Sequence, residues 1–281
     1  MDIVNTLQKK YIKLYNVGVG KTGSTSLSKL FKVYKSEHEF LFEETINHIY
    51  AYKKGEINTT QFKEFILQRE EKFNSDYGLD SSTFNHFYAD VLMEDFPKAK
   101  FILPIRDCYT WLESVLNMGL RFKYVLPDFI RKYMELICDF KEPFMGLGLN
   151  DSFLKDNPKY LDNILSYWRD SITRILTLIP EDRLLVIKVD ELSNSIEKIA
   201  DFSGVSAKIL SRDGTLGEEI HRNKVKDAFF IGKMDVPYVK GNWFAEVDKN
   251  LLKEKFELYC KDLMSEYFPD KRQKFLKKLE V

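Results

Sequence analysis

Cysteine is scarce in this chain of 281 residues, and Cys108, Cys138 and Cys260 stand far apart. They make no disulfide framework and have no zinc-ligand spacing, which excludes a stapled secreted scaffold and fits a reducing cytosol. Charge of one sign is missing as well: Lys+Arg and Asp+Glu both number 43, for a formal net charge of zero. No basic excess points to nucleic acid or to a heavily anionic polymer, although a local basic pocket is compatible with the balance. Apolar runs are too short to cross a bilayer. The opening, MDIVNTLQKKYIKLYNV, lacks the apolar core of a signal peptide. The expectation is a cytoplasmic protein without membrane or nucleic-acid partners. Repeats and low-complexity linkers are also absent, so 1–281 is expected to be one domain. What is plentiful is aromatic: 22 Phe and 15 Tyr, chiefly core material.

The pattern along the chain alternates strands and helices. Residues 12–17 (IKLYNV) read as a short buried strand running into a glycine turn. The following 24–34 put Leu27, Leu30 and Phe31 on one helical face. Residues 59–73 and 83–95 have the spacing of amphipathic helices, and 99–105 (AKFILPI) is a core strand with a helix behind it. Between 121 and 165 the chain is aromatic-rich and broken by Pro127, Pro143, Gly146, Gly148 and Pro158. This predicts a helical insertion with a loop around MGLGLNDS. A long helix follows at 157–179, a third strand at 183–189, a helix from about 192 and a charged helical tail from 247. The fold class is α/β, a parallel sheet flanked by helices on both faces.

Chemistry concentrates after the first strand, in YNVGVGKTGSTS. An ATP-type phosphate loop reads G-x-x-x-x-G-K-[ST]. With Gly20-Lys21-Thr22 as its end, the first glycine would have to stand where Tyr15 is. Here the weight of the loop lies after the lysine, in Gly23 and the hydroxyls of Ser24, Thr25 and Ser26. Backbone N–H groups of 22–26 at a helix start suit an anion. The plain alternative is an ordinary helix cap, a place that Ser and Thr favour.

Lys21-Thr22-Gly23-Ser24-Thr25-Ser26 resembles the 5′-phosphosulfate loop of sulfotransferases. These enzymes use 3′-phosphoadenosine 5′-phosphosulfate (PAPS) and have a P-loop-like fold. The resemblance is to bacterial members that tailor small molecules and natural products. It implies transfer of a sulfuryl group to a hydroxyl or amine of a small-molecule acceptor by in-line displacement, with 3′,5′-ADP as product. It also implies roles for single residues. Lys21 would meet the negative charge that grows as the sulfuryl group leaves, and with the loop dipoles it makes a metal unnecessary. Arg106, at the end of strand 100–105, and Ser114 eight residues on match the family's contacts to the 3′-phosphate. The basic stretch with His221, Arg222, Asn223 and Lys224 stands where the family has a loop over that phosphate, although the Arg-Lys-Gly of animal members is missing.

A base must take the acceptor's proton. YKSEHEFLFEE (34–44) offers Glu39 and His38, as in bacterial members with a His-Glu pair there. Adjacent residues of an extended chain face opposite ways, so one of the two is expected to point at the acceptor. Glu39 is favoured, with His38 as rival or orienting partner; two solvated polar residues are the alternative. Glu43 and Glu44 read as a helix N-terminus. Ser81 and Ser82, beside Asp80, are candidate acceptor contacts or helix caps. Phe122 and Tyr124 in the insertion are candidate walls of the acceptor pocket. Two other classes fit parts of the pattern. One is a P-loop kinase using Lys21 and Thr22, with Asp190 or Asp107 holding magnesium. The other is a non-catalytic nucleotide-binding protein. Oligomeric state leaves no trace in the sequence.

Overall fold

A computed structural model describes residues 12–73, 77–121, 127–138, 153–211 and 242–279. Strand β1 (Ile12–Asn16) is followed by helix α1 (Ser24–Leu30), edge strand β2 (Lys35–Glu37), α2 (Phe42–Lys53) and α3 (Thr59–Phe73). Then come β3 (Tyr77–Asp80), a 3-10 turn at Asn85–Tyr88, α4 (Ala89–Asp95) and β4 (Lys100–Ile105). Helices α5 (Cys108–Arg121), α6 (Asp128–Cys138), α7 (Phe153–Asp156) and α8 (Pro158–Leu178) lead to β5 (Leu184–Lys188). A 3-10 stretch, Val189–Asn194, precedes α9 (Ile196–Ser203) and α10 (Ala207–Leu210); α11 (Lys249–Tyr267) and α12 (Pro269–Leu279) follow. Contacts gather these residues into two compact units. One comprises 12–42, 55–73, 77–104 and 175–211, the other 43–54, 105–121, 127–138, 153–174 and 242–279.

The sheet has five parallel strands among the described residues, in the order β2-β3-β1-β4-β5. Leu14 and Tyr15 are both buried, so β1 has core on both faces, as a central parallel strand must. Its register sets Tyr15 opposite Asp80 and Phe101, and Glu37 opposite Asp80. The chain winds to one side of β1 and then to the other, and α/β ligands sit beyond the carboxyl ends of strands at such a reversal. The turn after β1 is therefore the position to inspect.

On one face α1 packs Leu27, Leu30 and Phe31 into a cluster with Leu14, Ile102 and Ile187. Each such burial is worth about 1.5–3 kcal/mol. Tyr15, from the opposite side of β1, stacks on Phe101 at 5.6 Å between centroids. Helix α3 buries Phe62, Phe65, Ile66 and Phe73, and on the same stripe Arg69 and Glu70. Strand β3 approaches β2 so closely that a Cβ on Gly78 would overlap the Lys35 carbonyl, so only glycine fits there. Arg183 donates to the carbonyls of Ala99 (3.0 Å) and Phe96 (2.9 Å), tying the entry of β4 to that of β5.

The second unit is helical and aromatic. Tyr109, Phe256 and Phe275 form one ring cluster, with 3.7 Å between the Tyr109 and Phe275 centroids. Trp111 lies 6.5 Å from Trp168, and Trp243 Nε1 donates to Asn117 Oδ1 at 2.8 Å. Glu135 accepts from Tyr50 and Lys54, fixing α2 to α6.

Three sequence expectations change in detail. The 83–95 helix divides into the 3-10 turn and α4, and the helix expected from about 192 begins at Ile196 after 3-10 backbone. Strand β2 was not expected: Lys35 and Glu37 are exposed, Ser36 is half-buried, and none of the three is apolar. Glu43 and Glu44 do lie in the first turn of α2. The loop around MGLGLNDS falls outside the described residues.

Candidate active site

The turn after β1 is built by close approach. Asn16 Oδ1 accepts from the Gly18 N–H at 3.1 Å and starts the turn. Gly18 presses on the end of β4: a Cβ there would lie 2.7 Å from the Pro104 carbonyl oxygen. Thr22 is fully buried and its hydroxyl donates to the Val19 carbonyl at 2.6 Å, closing the loop on itself. Lys21 and Gly23 both have left-handed backbone, φ 70° and 91°. Helix α1 is capped by Gly23 without any side-chain cap bond. The hydroxyls of Ser24 and Thr25 are turned elsewhere, 3.0 and 3.3 Å from His38 Nε2. Tyr15 points away from the turn, into the core, and its hydroxyl donates to Glu70 Oε2 at 2.5 Å.

His38 and Glu39 follow β2 on a second tight turn. Lys21, Glu39 and Leu41 are the non-glycine residues with positive φ among the described residues, at 70°, 58° and 50°. Such backbone costs about 1–3 kcal/mol per residue and collects at functional sites. It also answers the problem of strand alternation. The left-handed Glu39 folds the chain back, so that its Oε1 lies 3.6 Å from His38 Nε2 instead of on the opposite face.

The two side chains carry opposite perturbations. Burial lowers the His38 pKa to about 4; Asp80 acts against this and the Lys21 charge adds to it. The imidazole is thus neutral at pH 7 and can accept from the loop hydroxyls. Burial pushes Glu39 up to about 7, against the Thr83 hydrogen bonds and the Arg69 charge and with the help of Asp80. Glu39 Oε1 accepts from the Thr83 hydroxyl at 2.8 Å. Its other oxygen, Oε2, is buried and has no hydrogen-bond partner among the described residues. A buried acceptor left open costs roughly 1–3 kcal/mol, so its presence beside a neutral histidine asks for a chemical reason.

Behind this turn stands a buried ionic group. Arg69, 0% exposed, donates from Nη1 to Asp80 Oδ2 (2.6 Å) and Glu70 Oε1 (2.8 Å). From Nη2 it donates to the Phe40 carbonyl (3.0 Å) and Ser82 Oγ (3.2 Å). The rings of Phe40 and Phe84 each lie 5.3 Å from the guanidinium carbon. Lys13 adds a second cation, 3.2 Å from Glu70 Oε2. Ser82 Oγ donates to Asp80 Oδ1 (2.6 Å) and accepts from the Phe40 N–H (3.1 Å). The Ser81 hydroxyl donates to the Ser24 carbonyl at 2.7 Å. Ser81 and Ser82, candidates for acceptor contact or capping, are thus fully buried, with their hydroxyls on protein partners.

Arg69 and Thr83 have no counterpart in the sequence expectations, and Asp80 figures there only with Ser81 and Ser82, closing a strand and capping a helix, rather than as the buried partner of an arginine. The available signal was phase: Arg69 and Glu70 fall on the stripe that Phe62, Phe65, Ile66 and Phe73 define, where a solvated pair does not belong.

Arg106 and Ser114 belong to the second unit. Arg106 Nε donates to Thr110 Oγ1 at 3.0 Å, and Ser114 is half-buried on α5. The Asp107 carboxylate accepts from the Thr110 N–H (2.9 Å), the Thr110 hydroxyl (2.7 Å) and Lys271 (3.0 Å). His221, Arg222, Asn223, Lys224, Phe122 and Tyr124 lie outside the described residues.

A parallel sheet whose central strand ends in a glycine-lysine turn and a helix start is the frame of the P-loop-like proteins, built to take an anion. A family model described as "Sulfotransferase domain" matches residues 13–207, from within β1 to the first residue of α10. The chain belongs to the sulfotransferase family, and it is a transferase of sulfuryl groups. No curated protein matches it.

Proposed function

We propose that this sulfotransferase takes its sulfuryl group from PAPS and passes it to a hydroxyl or amine of a small-molecule acceptor. The observation that carries the reading is Glu39 Oε2: a buried carboxylate oxygen with no hydrogen bond among the described residues, on a strained turn beside the lysine loop. A carboxyl group with a pKa of about 7 is matched to proton removal at neutral pH.

The roles follow from the side chains. Glu39 Oε2 receives the acceptor's proton as the acceptor O–S or N–S bond forms. Lys21 and the amides at the start of α1 meet the charge on the phosphate oxygen as its bond to sulfur breaks, with the electron pair leaving on 3′,5′-ADP. His38, kept neutral, holds Ser24 and Thr25 and flanks Glu39. The donor supplies an activated sulfuryl group and so replaces any need for a metal in this reading. The residues of the loop fit such a group: a half-buried lysine, left-handed backbone at Lys21 and Gly23, and a helix start with no side-chain cap bond. Arg106, Ser114 and the 221–224 stretch are assigned to the 3′-phosphate on resemblance.

A small acceptor and a cytoplasmic setting are part of the same reading, motivated by the zero net charge. Among the described residues no helix is long and apolar enough to cross a membrane. The test is ligand-induced stabilisation. The full chain should melt higher with 3′,5′-ADP and not with Mg-ATP, and Lys21→Ala should remove the shift. Stabilisation by Mg-ATP alone would contradict the donor assignment.

A further inference from the structure

We propose that Arg69 and Ser82 are positioning residues for Glu39, holding the 39–41 turn in the strained form that aims the carboxylate at the acceptor. The inference rests on the reading of Glu39 as the base.

The turn has an unusual construction. Phe40 stands between two left-handed residues, Glu39 and Leu41. Both of its backbone groups are held from outside the turn: its N–H by Ser82 Oγ and its carbonyl by Arg69 Nη2. Its ring lies 5.3 Å from the same guanidinium carbon, as does that of Phe84. The strain of positions 39 and 41 therefore has a specific restraint at position 40. Without it, the backbone at Glu39 has no evident reason to leave the β region.

Fold stability alone is a weak reason for a buried arginine. A buried charge must be matched by partners, and an apolar side chain of similar volume often does as well or better for stability. What the guanidinium offers is shape: a rigid planar fork whose donors reach several acceptors in fixed directions. Here two nitrogens serve four acceptors on three separate segments, α3 itself, the turn after β2 and the run from the end of β3. A lysine ammonium cannot reproduce that fork.

The run Asp80-Ser81-Ser82-Thr83 extends the device. Asp80 holds Arg69, Ser82 holds the Phe40 N–H, and Thr83 holds Glu39 Oε1. Ser81 holds the Ser24 carbonyl of the lysine loop. One four-residue segment thus sets the base, its turn and the donor loop against each other. In sequence these side chains look like caps; in space three of them end on parts of the reaction site.

The experiment titrates Glu39 directly, so it does not depend on knowing the acceptor. Full-length protein carrying ¹³C-labelled Glu side chains is followed by NMR from low to high pH, with Glu39→Gln to assign the signal. The charged and titratable groups around Glu39 are His38 on its own turn, Asp80 at the end of β3, Arg69 on α3 and Tyr88 on the 3-10 turn, with Lys21 of the loop acting on His38. The expected midpoint in the native protein is about 7. In Ser82→Ala and Arg69→Lys it should fall by about one pH unit or more as water reaches a loosened carboxylate. Affinity for 3′,5′-ADP by calorimetry should stay within about threefold, since the lysine loop keeps its own bonds.

An unchanged midpoint in folded Ser82→Ala overturns the positioning role, with the assignment of the base left standing. Where Arg69→Lys fails to fold, Ser82→Ala decides alone, because it removes no charge. Full sulfuryl transfer by Glu39→Gln would instead sink the base assignment and this inference with it.

Discussion

The lysine loop and the Glu39 turn lie in the same unit, joined through His38, yet they are made in different ways. The loop is made of backbone. Its glycines, its left-handed Lys21 and the internal Thr22–Val19 bond give it most of its form, and Ser81 adds one bond from outside, to the Ser24 carbonyl. The Glu39 turn is made from outside. It has two strained residues, and the restraints come from α3 and from the segment after β3. An anion site can be assembled from main-chain dipoles in a short stretch, because amides are present at every residue. A base with a raised pKa needs burial and a fixed direction, and those come from tertiary neighbours.

The largest effect that would sharpen this contrast is at Lys21. Lys21→Ala should lower turnover by about 10²–10³-fold, the usual loss when one charge-stabilising group is removed, with little change in melting temperature. Steady-state rates with PAPS measure it, and an unchanged rate would break the donor half of the comparison.

Glu39→Gln comes next. Loss of a general base should cost about 10²–10³-fold in transfer. Stability should move the other way, and the sign can be worked out. The folded pKa of about 7 lies above the ordinary 4.5. The stability linked to Glu39 is therefore fully present below about pH 4.5 and is lost as pH rises towards 7. Glu39→Gln escapes that loss, so at pH 8 it should be more stable than the native protein by about 1–3 kcal/mol, read from urea unfolding. His38 acts in the opposite sense. Its folded pKa of about 4 lies below the ordinary 6.5, so its contribution is present above about 6.5 and is lost as pH falls towards 4. Transfer itself should rise with pH through about 7 as Glu39 ionises.

Gly18→Ala probes the loop's packing. The added methyl would sit 2.7 Å from the Pro104 carbonyl, so something must shift. A loss of about 1–3 kcal/mol in unfolding free energy is expected, with weaker 3′,5′-ADP binding. The smallest effect belongs to Ser24→Ala, which removes one of two hydroxyls at His38. One neutral hydrogen bond is worth about 1 kcal/mol, so transfer should fall roughly fivefold.

The same contrast explains what could be read in the chain. The lysine loop is legible because its chemistry is local, and Tyr15 separates it from an ATP loop by a single position. The central strands are legible as apolar runs. Strand β2 is not, because Lys35-Ser36-Glu37 lies at an edge and carries no burial pattern. Glu39 and His38 could be named as candidates, with His38 as rival or orienting partner, but not the backbone that brings them together, a positive φ that no side chain announces. Arg69 is the hardest: an arginine on a helix reads as solvated until its phase against the phenylalanines is counted.

The most direct trial of the account is transfer from ³⁵S-labelled PAPS to a panel of phenols, alcohols and amines by the native protein and by Glu39→Gln. The native protein should label at least one acceptor, and the variant should be at least about 100-fold slower while binding 3′,5′-ADP normally. Equal labelling by both proteins would contradict it.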